Sequence, residues 1–318
     1  MEQYNFVGID IAKDKFDVAL KSNDRFIRAV FNNNISGFNK LEVWLKKHTS
    51  KPWVCLEATG SYSESVAEFL ASKNIIVSVC NPLQIKNYAK SILARNKNDA
   101  LDAQIIASYA AERKPRCFTP ASGDQKYVRG IVQLIDTLQE QKQQLLNQLG
   151  STLVNEIKNE LKKAIKPIEK RIDKLEVKVN ARIKKNSEQN KIKESVKSIK
   201  GIGDKTAHAL IAYLPDIDLF KNAKQLAAYA GLNPKQHESG KFKGKTTLSK
   251  IGNARLRKAL YMPALVVKNS NPYFKDFCSR LEKNGLKPKA IIGAVMRKLI
   301  HVIFGILKHK QDFNPALV

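Results

Sequence analysis

Over residues 1–33 apolar and polar side chains alternate with a period of two, which restricts the start of the chain to strands packed on one face. Phe6, Val7, Ile9 and Ile11 form a first run, Phe16, Val18 and Leu20 a second, and Phe26, Ile27, Val30 and Phe31 a third, with polar breaks at 12–14 and 22–24. That pattern predicts a three-stranded antiparallel meander. The period then switches repeatedly, predicting a helix over about 36–47, a strand over 53–57, a helix over about 63–73, a strand over 75–80 and a helix opened near Pro82.

Strands first in hairpins and then alternating with helices predict a mixed α/β sheet. The order β-β-β-α-β-α-β-α is that of the ribonuclease H-like fold. From about 124 to 193 the composition turns to Gln, Lys, Glu, Leu and Ile. Leu161, Ile165, Ile168, Ile172, Leu175 and Val179 step by 4, 3, 4, 3 and 4, a heptad seam preceded by a second stripe, Val128, Ile131, Ile135, Leu138, Leu145 and Leu149. A helical hairpin or a dimerising coiled coil is the simplest reading, with Gly150 or Pro167 marking a turn or kink; a long helix packed on its own domain is the alternative. The last third reads as helical. The fold class expected is therefore α/β plus all-α, in three segments: 1–121, 122–195 and 196–318.

Charge narrows the class of partner. The chain has 318 residues with 56 Lys+Arg against 29 Asp+Glu, a formal net charge of +27. Residues 1–120 hold a net of +5 and residues 121–318 a net of +22. A field of that strength points to a polyanion, placed mainly against the second half. The four cysteines show no CxxC pairing and the five histidines no zinc-ligand spacing, so a disulfide framework and a zinc site are not expected and a reducing cytosol fits. MEQYNF has no signal-peptide pattern, and the apolar stretch 290–307 is broken by Arg297, Lys298 and His301, so neither export nor a membrane span is expected.

Four carboxylates stand out against this basic background. Asp10 interrupts an apolar strand, and Glu57 closes the strand WVCLE at the end where α/β sheets present ligands. In NKNDALDA, Asp99 and Asp102 share one helix face at i and i+3, with Asn96 and Asn98 as candidate N-caps. Crowded carboxylates repel unless a divalent cation neutralises them. Mg²⁺ (or Mn²⁺) prefers such oxygen ligands, and two ions about 4 Å apart can clamp both oxygens of a phosphoryl displacement. Asp14 and Asp17 are read as solvated. Farther on, Gly201 and Gly203 in IKGIGDKTAHAL separate two helical patterns and can offer backbone N–H groups to a phosphate, beside Lys205. Ser239 and Gly240 sit in a polar loop ahead of Lys241, Lys243 and Lys245, with the basic helix of Arg255, Arg257 and Lys258 beyond; a Ser-Gly pair there is by itself only a turn.

The set GIDIAKDKFDV, LEATGSY, NKNDALDA, IKGIGDKTA, AAYAGLNP, SGKFKGK and SKIGNARLRKAL resembles, in order and over nearly the whole chain, the insertion-sequence-110 transposases. These are the DEDD recombinases that also include Piv-type DNA invertases. The resemblance implies that Asp10, Glu57, Asp99 and Asp102 are the metal-binding tetrad of a RuvC-like domain, and that Ser239 is the nucleophile of the C-terminal transposase domain. It implies excision and insertion of a mobile element through a phosphoserine link, at a site completed between subunits of a dimer or tetramer. It also implies a structured bridge RNA pairing with donor and target double-stranded DNA. Gly201, Gly203, Lys205, Lys241, Lys245, Arg255 and Arg257 are then the expected nucleic-acid contacts. Two other readings stay open: a Holliday-junction-type nuclease using water as nucleophile, and a non-catalytic nucleic-acid scaffold.

Overall fold

The N-terminal alternation closes into a five-stranded sheet in the computed structural model, which describes residues 4–23, 25–94, 98–236, 238–239, 242–244 and 246–315. Strands β1 (Asn5–Ile11), β2 (Lys15–Ser22) and β3 (Arg25–Asn32) form the antiparallel meander. Helix α1 (Ile35–His48) leads to β4 (Pro52–Glu57), parallel to β1, and α2 (Ser61–Ser72) leads to β5 (Ile76–Cys80), parallel to β4. The strand order is β3-β2-β1-β4-β5. Helices α3 (Pro82–Ser91) and α4 (Asp99–Arg113) complete this unit, which ends at Pro120. A mixed sheet in this order is compatible with a ribonuclease H-like domain.

The period of two sorts the two faces of the sheet. Val7, Ile9, Phe16, Val18, Leu20, Val54 and Leu56 share one core with Phe38, Leu41 and Leu45 of α1 and Val66 and Leu70 of α2. On the opposite face Cys55 and Cys80 pack with Ile85 and Tyr88 of α3 and with Ile105, Ile106 and Tyr109 of α4. At Gly8 the backbone of α4 lies directly on β1. A Cβ there would overlap the Ala103 carbonyl oxygen and the Ala107 amide nitrogen, both main-chain atoms that cannot swing aside.

The second unit, Ala121–Val318, opens with α5 (Gly123–Ser151) and α6 (Asn155–Lys185). They run antiparallel: Asp124 accepts hydrogen bonds from Arg182 and Asn186 at one end, and Lys142 meets Glu169 farther along. The heptad seam is used within the chain, since Ile172 and Leu175 are buried against Ile135 with Ile131, Leu138 and Ile168 around them. The turn falls at 152–154, just past Gly150, and α6 continues through Pro167, which lies on its exposed side.

Helices α7 (Ser187–Lys197) and α8 (Asp204–Tyr213) follow, flanking the Gly201 and Gly203 turn, then α9 (Ala223–Tyr229). Four two-residue strands interrupt the helical run: β6 (Pro234–Lys235) pairs with β9 (Thr247–Leu248), and β7 (Glu238–Ser239) with β8 (Phe242–Lys243). Helices α10 (Ala254–Ser270), α11 (Pro272–Lys283) and α12 (Pro288–His309) end the unit. By length and composition α12 could cross a membrane, but more than half of that stretch is buried within the unit. Val128, Val179, Ile183 and Val196 share a core with Leu210, Leu260, Leu299 and Ile303, so segments 122–195 and 196–318, which composition separates, meet in one core.

That core encloses a polar knot. Lys193, only 4% exposed, donates to Asn180 Oδ1 at 2.7 Å and pairs with Asp204 at 3.3 Å. His208 Nε2–H donates to the same Asn180 oxygen at 3.0 Å. Burial, with the neighbouring Lys193 ammonium, pushes the imidazole down to about 4.

Two consequences are measurable. Gly8→Ala forces β1 and α4 apart and is expected to cost about 3 kcal/mol or more, read as a lowered thermal or urea midpoint. His208 is neutral in the fold, while the unfolded chain takes up a proton below about 6.5. Its contribution is therefore complete above pH 6.5 and is lost as pH falls toward 4. His208→Gln is expected to flatten the fall in unfolding free energy between pH 7 and 4.5; an unchanged slope would contradict the buried neutral imidazole.

Candidate active site

Asp10 stands on the α4 side of β1, the face it shares with Gly8. Because Ile9 pairs with Leu56 in the parallel β1–β4 register, Asp10 and Glu57 leave adjacent strands at the same end of the sheet. The close approach permitted by Gly8 brings the first turn of α4 over that end. There Asn98 caps the helix, its side chain accepting from Leu101 N at 2.8 Å, and Asp99 and Asp102 occupy the first turn. Asn96, the other candidate cap, lies outside the described residues.

The electrostatics of Asp10 register the convergence. Burial, followed by the charges of Asp102, Asp99, Glu57 and Asp17, raises its carboxyl from 3.8 to about 6. Glu57, Asp99 and Asp102 are thus each within electrostatic reach of Asp10. Their donor set is entirely carboxylate oxygen, which suits a hard divalent cation. Among the described residues no three of them are yet gathered into a coordination sphere.

Two participants escaped the sequence reading. Asp17, taken there as solvated, is 8% exposed and sits directly across from Asp10 in the β1–β2 register. The signal was present, since Asp17 interrupts Phe16 and Val18 as Asp10 interrupts Ile9 and Ile11. Asp14 is exposed, as expected. Lys15 is the other: its ammonium lies 3.3 Å from Asp99 and 3.7 Å from Asp17, a cation already seated at the edge of the carboxylates.

In the second unit, Ser239 is exposed on β7 and paired with Phe242 of β8. Gly240, Lys241 and Lys245 lie outside the described residues. The surrounding loops are anchored below: Arg257 donates to the carbonyls of Ala230 and Lys250 at 3.1 and 3.2 Å. Gly252, at φ +141, lies so close to the Tyr229 and Ala228 carbonyls that any Cβ would overlap them. Arg257 therefore braces the loop, whereas Arg255 is exposed, with its guanidinium 5.8 Å from the Tyr213 ring. Gly201 takes φ +110 against Val267, and Gly203 is the N-cap of α8. Asp204, which follows Gly203, is paired with Lys197 at 2.8 Å and with Lys193, so the first turn of α8 already carries a carboxylate. Lys205 is exposed and reaches Glu176 at 3.1 Å.

Burial and the neighbouring carboxylates both disfavour a charged Asp10, and Asp10→Asn removes that charge at nearly constant shape. The variant is expected to melt about 2–4 °C higher than the parent in EDTA. A lower midpoint in EDTA would contradict the crowding.

Comparison with known proteins gives the family. A DEDD-type IS110 transposase family model matches residues 7–157, and the model described as the transposase IS116/IS110/IS902 family matches residues 193–279. The pilin gene-inverting protein of Moraxella bovis is 33% identical over 319 residues, covering 98% of both chains, and that of Moraxella lacunata is equally similar. The transposase for insertion sequence element IS1111A of Coxiella burnetii is 25% identical over 351 residues, covering 99% of this chain and 92% of its own. The chain belongs to the IS110 family of transposases, enzymes that cut and rejoin DNA.

Proposed function

We propose that this transposase moves or inverts a DNA segment by strand transfer, with Ser239 as nucleophile and Asp10, Glu57, Asp99 and Asp102 as holders of Mg²⁺ or Mn²⁺. The observation that carries the reading is the convergence of carboxylates on Asp10, whose pKa is raised to about 6 by burial and then by the charges of Asp102, Asp99, Glu57 and Asp17. A divalent cation bound there supplies charge neutralisation for a phosphate in transition. Ser239 Oγ forms a bond to the scissile phosphorus as the bridging bond to the leaving sugar oxygen breaks, and the serine proton passes to a base. A second sugar hydroxyl then displaces the serine and rejoins the strand. Exposure of Ser239 on a braced loop fits attack on a large polymeric substrate.

On this reading 1–121 is the RuvC-like domain, 122–195 the helical segment and 196–318 the transposase domain with a helix-hairpin-helix at Gly201 and Gly203. Lys205, Lys241, Lys245, Arg255 and Arg257 line or brace the nucleic-acid path. The resemblance adds a structured bridge RNA as guide and a homo-oligomer as the active form. The heptad seam is engaged inside the chain, which leaves Leu153, Val154 and Ile157 exposed at the tip of the hairpin as the apolar surface available for pairing of subunits.

One recombination assay with the element ends, the target and Mg²⁺ tests the scheme. Ser239→Ala is expected to abolish both recombination and the covalent protein–DNA adduct, and Asp102→Asn to lower recombination by at least about 10³-fold. Unchanged cleavage by Ser239→Ala would point to water as the nucleophile, and intact recombination by Asp102→Asn would remove the metal from the mechanism. Ribonuclease treatment of the purified protein is expected to stop the reaction; full activity afterwards would exclude a guide RNA.

A further inference from the structure

Helix α6 presents to solvent a stripe of one sign. Lys163, Lys166, Lys170, Lys174, Lys178 and Lys185, spaced 3, 4, 4, 4 and 7 residues apart, are all exposed on the side opposite the buried Leu161, Ile165, Ile172, Leu175, Val179 and Ile183. At 1.5 Å per residue the stripe runs about 33 Å. Two acids of the helix are used elsewhere: Glu169 meets Lys142 of α5 at 3.3 Å, and Glu176 meets Lys205 of α8 at 3.1 Å. Glu160 holds Lys163 at 2.8 Å. Among the described residues the other five lysines have no carboxylate partner, and Asp173 at the edge of the stripe makes no ion pair.

Such a face opposes the helix that carries it. Lys166, Lys170, Lys174 and Lys178 form three successive like-charge neighbours at i and i+4, each of which destabilises an isolated helix. A soluble helix with nothing to bind gains by interleaving acids there, as α6 does on its flanks. The geometry points to a polyanion along this face, and we propose that it is duplex DNA, gripped through its phosphates without reading sequence. A straight row about one helical turn of DNA in length, at the lysine spacing of about 6 Å along the axis, matches charge spread along a phosphate backbone. The inference rests on DNA being the substrate, but not on the chemistry assigned to Ser239 or the carboxylates.

The test is equilibrium binding of a 30-base-pair duplex of arbitrary sequence, read by fluorescence anisotropy in EDTA so that catalysis plays no part. The full-length variant with Lys166, Lys170, Lys174 and Lys178 each changed to Gln is compared with a control changed to Gln at Lys46, Lys142, Lys268 and Lys308. The control loses the same number of charges, from lysines that are ion-paired in the fold, Lys46 and Lys308 exposed and Lys142 and Lys268 half-buried. The stripe variant is expected to bind roughly tenfold or more weakly at moderate salt, with the slope of log affinity against log salt reduced by about 3. The control is expected to keep most of the slope, and both proteins to melt within a few degrees of the parent. Equal losses in the two variants would assign binding to net charge and overturn the proposal. So would unchanged duplex binding by the stripe variant, including the case in which only binding of a structured RNA is lost.

Discussion

The contact between α4 and β1 at Gly8 is the constraint on which the first unit depends. Only a residue without a Cβ lets the helix backbone rest on the strand, and only that approach carries Asp99 and Asp102 over the end of the sheet where Asp10 and Glu57 emerge. The packing that closes one core of the unit thus gathers its negative charge at one place. Burial and, after it, the neighbouring carboxylates raise the pKa of Asp10, and Lys15 offsets part of the gathered charge. Fold stability and site chemistry pull in opposite directions there, a common sign that charge is held ready for a ligand.

The second unit has the opposite electrostatic character and a different way of managing it. Its core is helical and apolar, with one buried polar knot in which Lys193 is satisfied by Asn180 and Asp204 while His208 stays neutral. Outside the core, several acids are spent on specific ion pairs, among them Asp124 with Arg182, Glu140 with Lys258 and Asp218 with Lys308. The surplus of lysine is left facing solvent. Loops that carry the exposed Ser239 are held instead by main-chain contacts, through Arg257 and Gly252, which tolerate little change.

Much of this was legible in the residues. Alternation marked the meander, the terminal Glu of WVCLE marked the ligand end of the sheet, and the i and i+3 spacing marked Asp99 and Asp102 as one face. Misreadings came where a local rule was applied unevenly or a neighbour was invisible. Asp17 obeys the same alternation as Asp10 but was read as solvated, because its partner across the strand is known only from register. Arg257 reads as a nucleic-acid contact in a basic run, and its Nη1 also ties down two carbonyls 7 and 27 residues away, a bracing role that no local pattern announces.

By itself, then, the sequence determined most of the element types and the family, because periodicity and motif order are local properties of the chain. Tertiary structure alone decided which charges are opposed and which are answered. Whether the heptad seam faces α5 or another chain, whether Lys205 is paired or the lysines of α6 stand alone, and how strongly Asp10 feels Asp102 all depend on contacts between distant segments. Coulomb energy and burial are functions of distance in space, and no spacing along the chain encodes them.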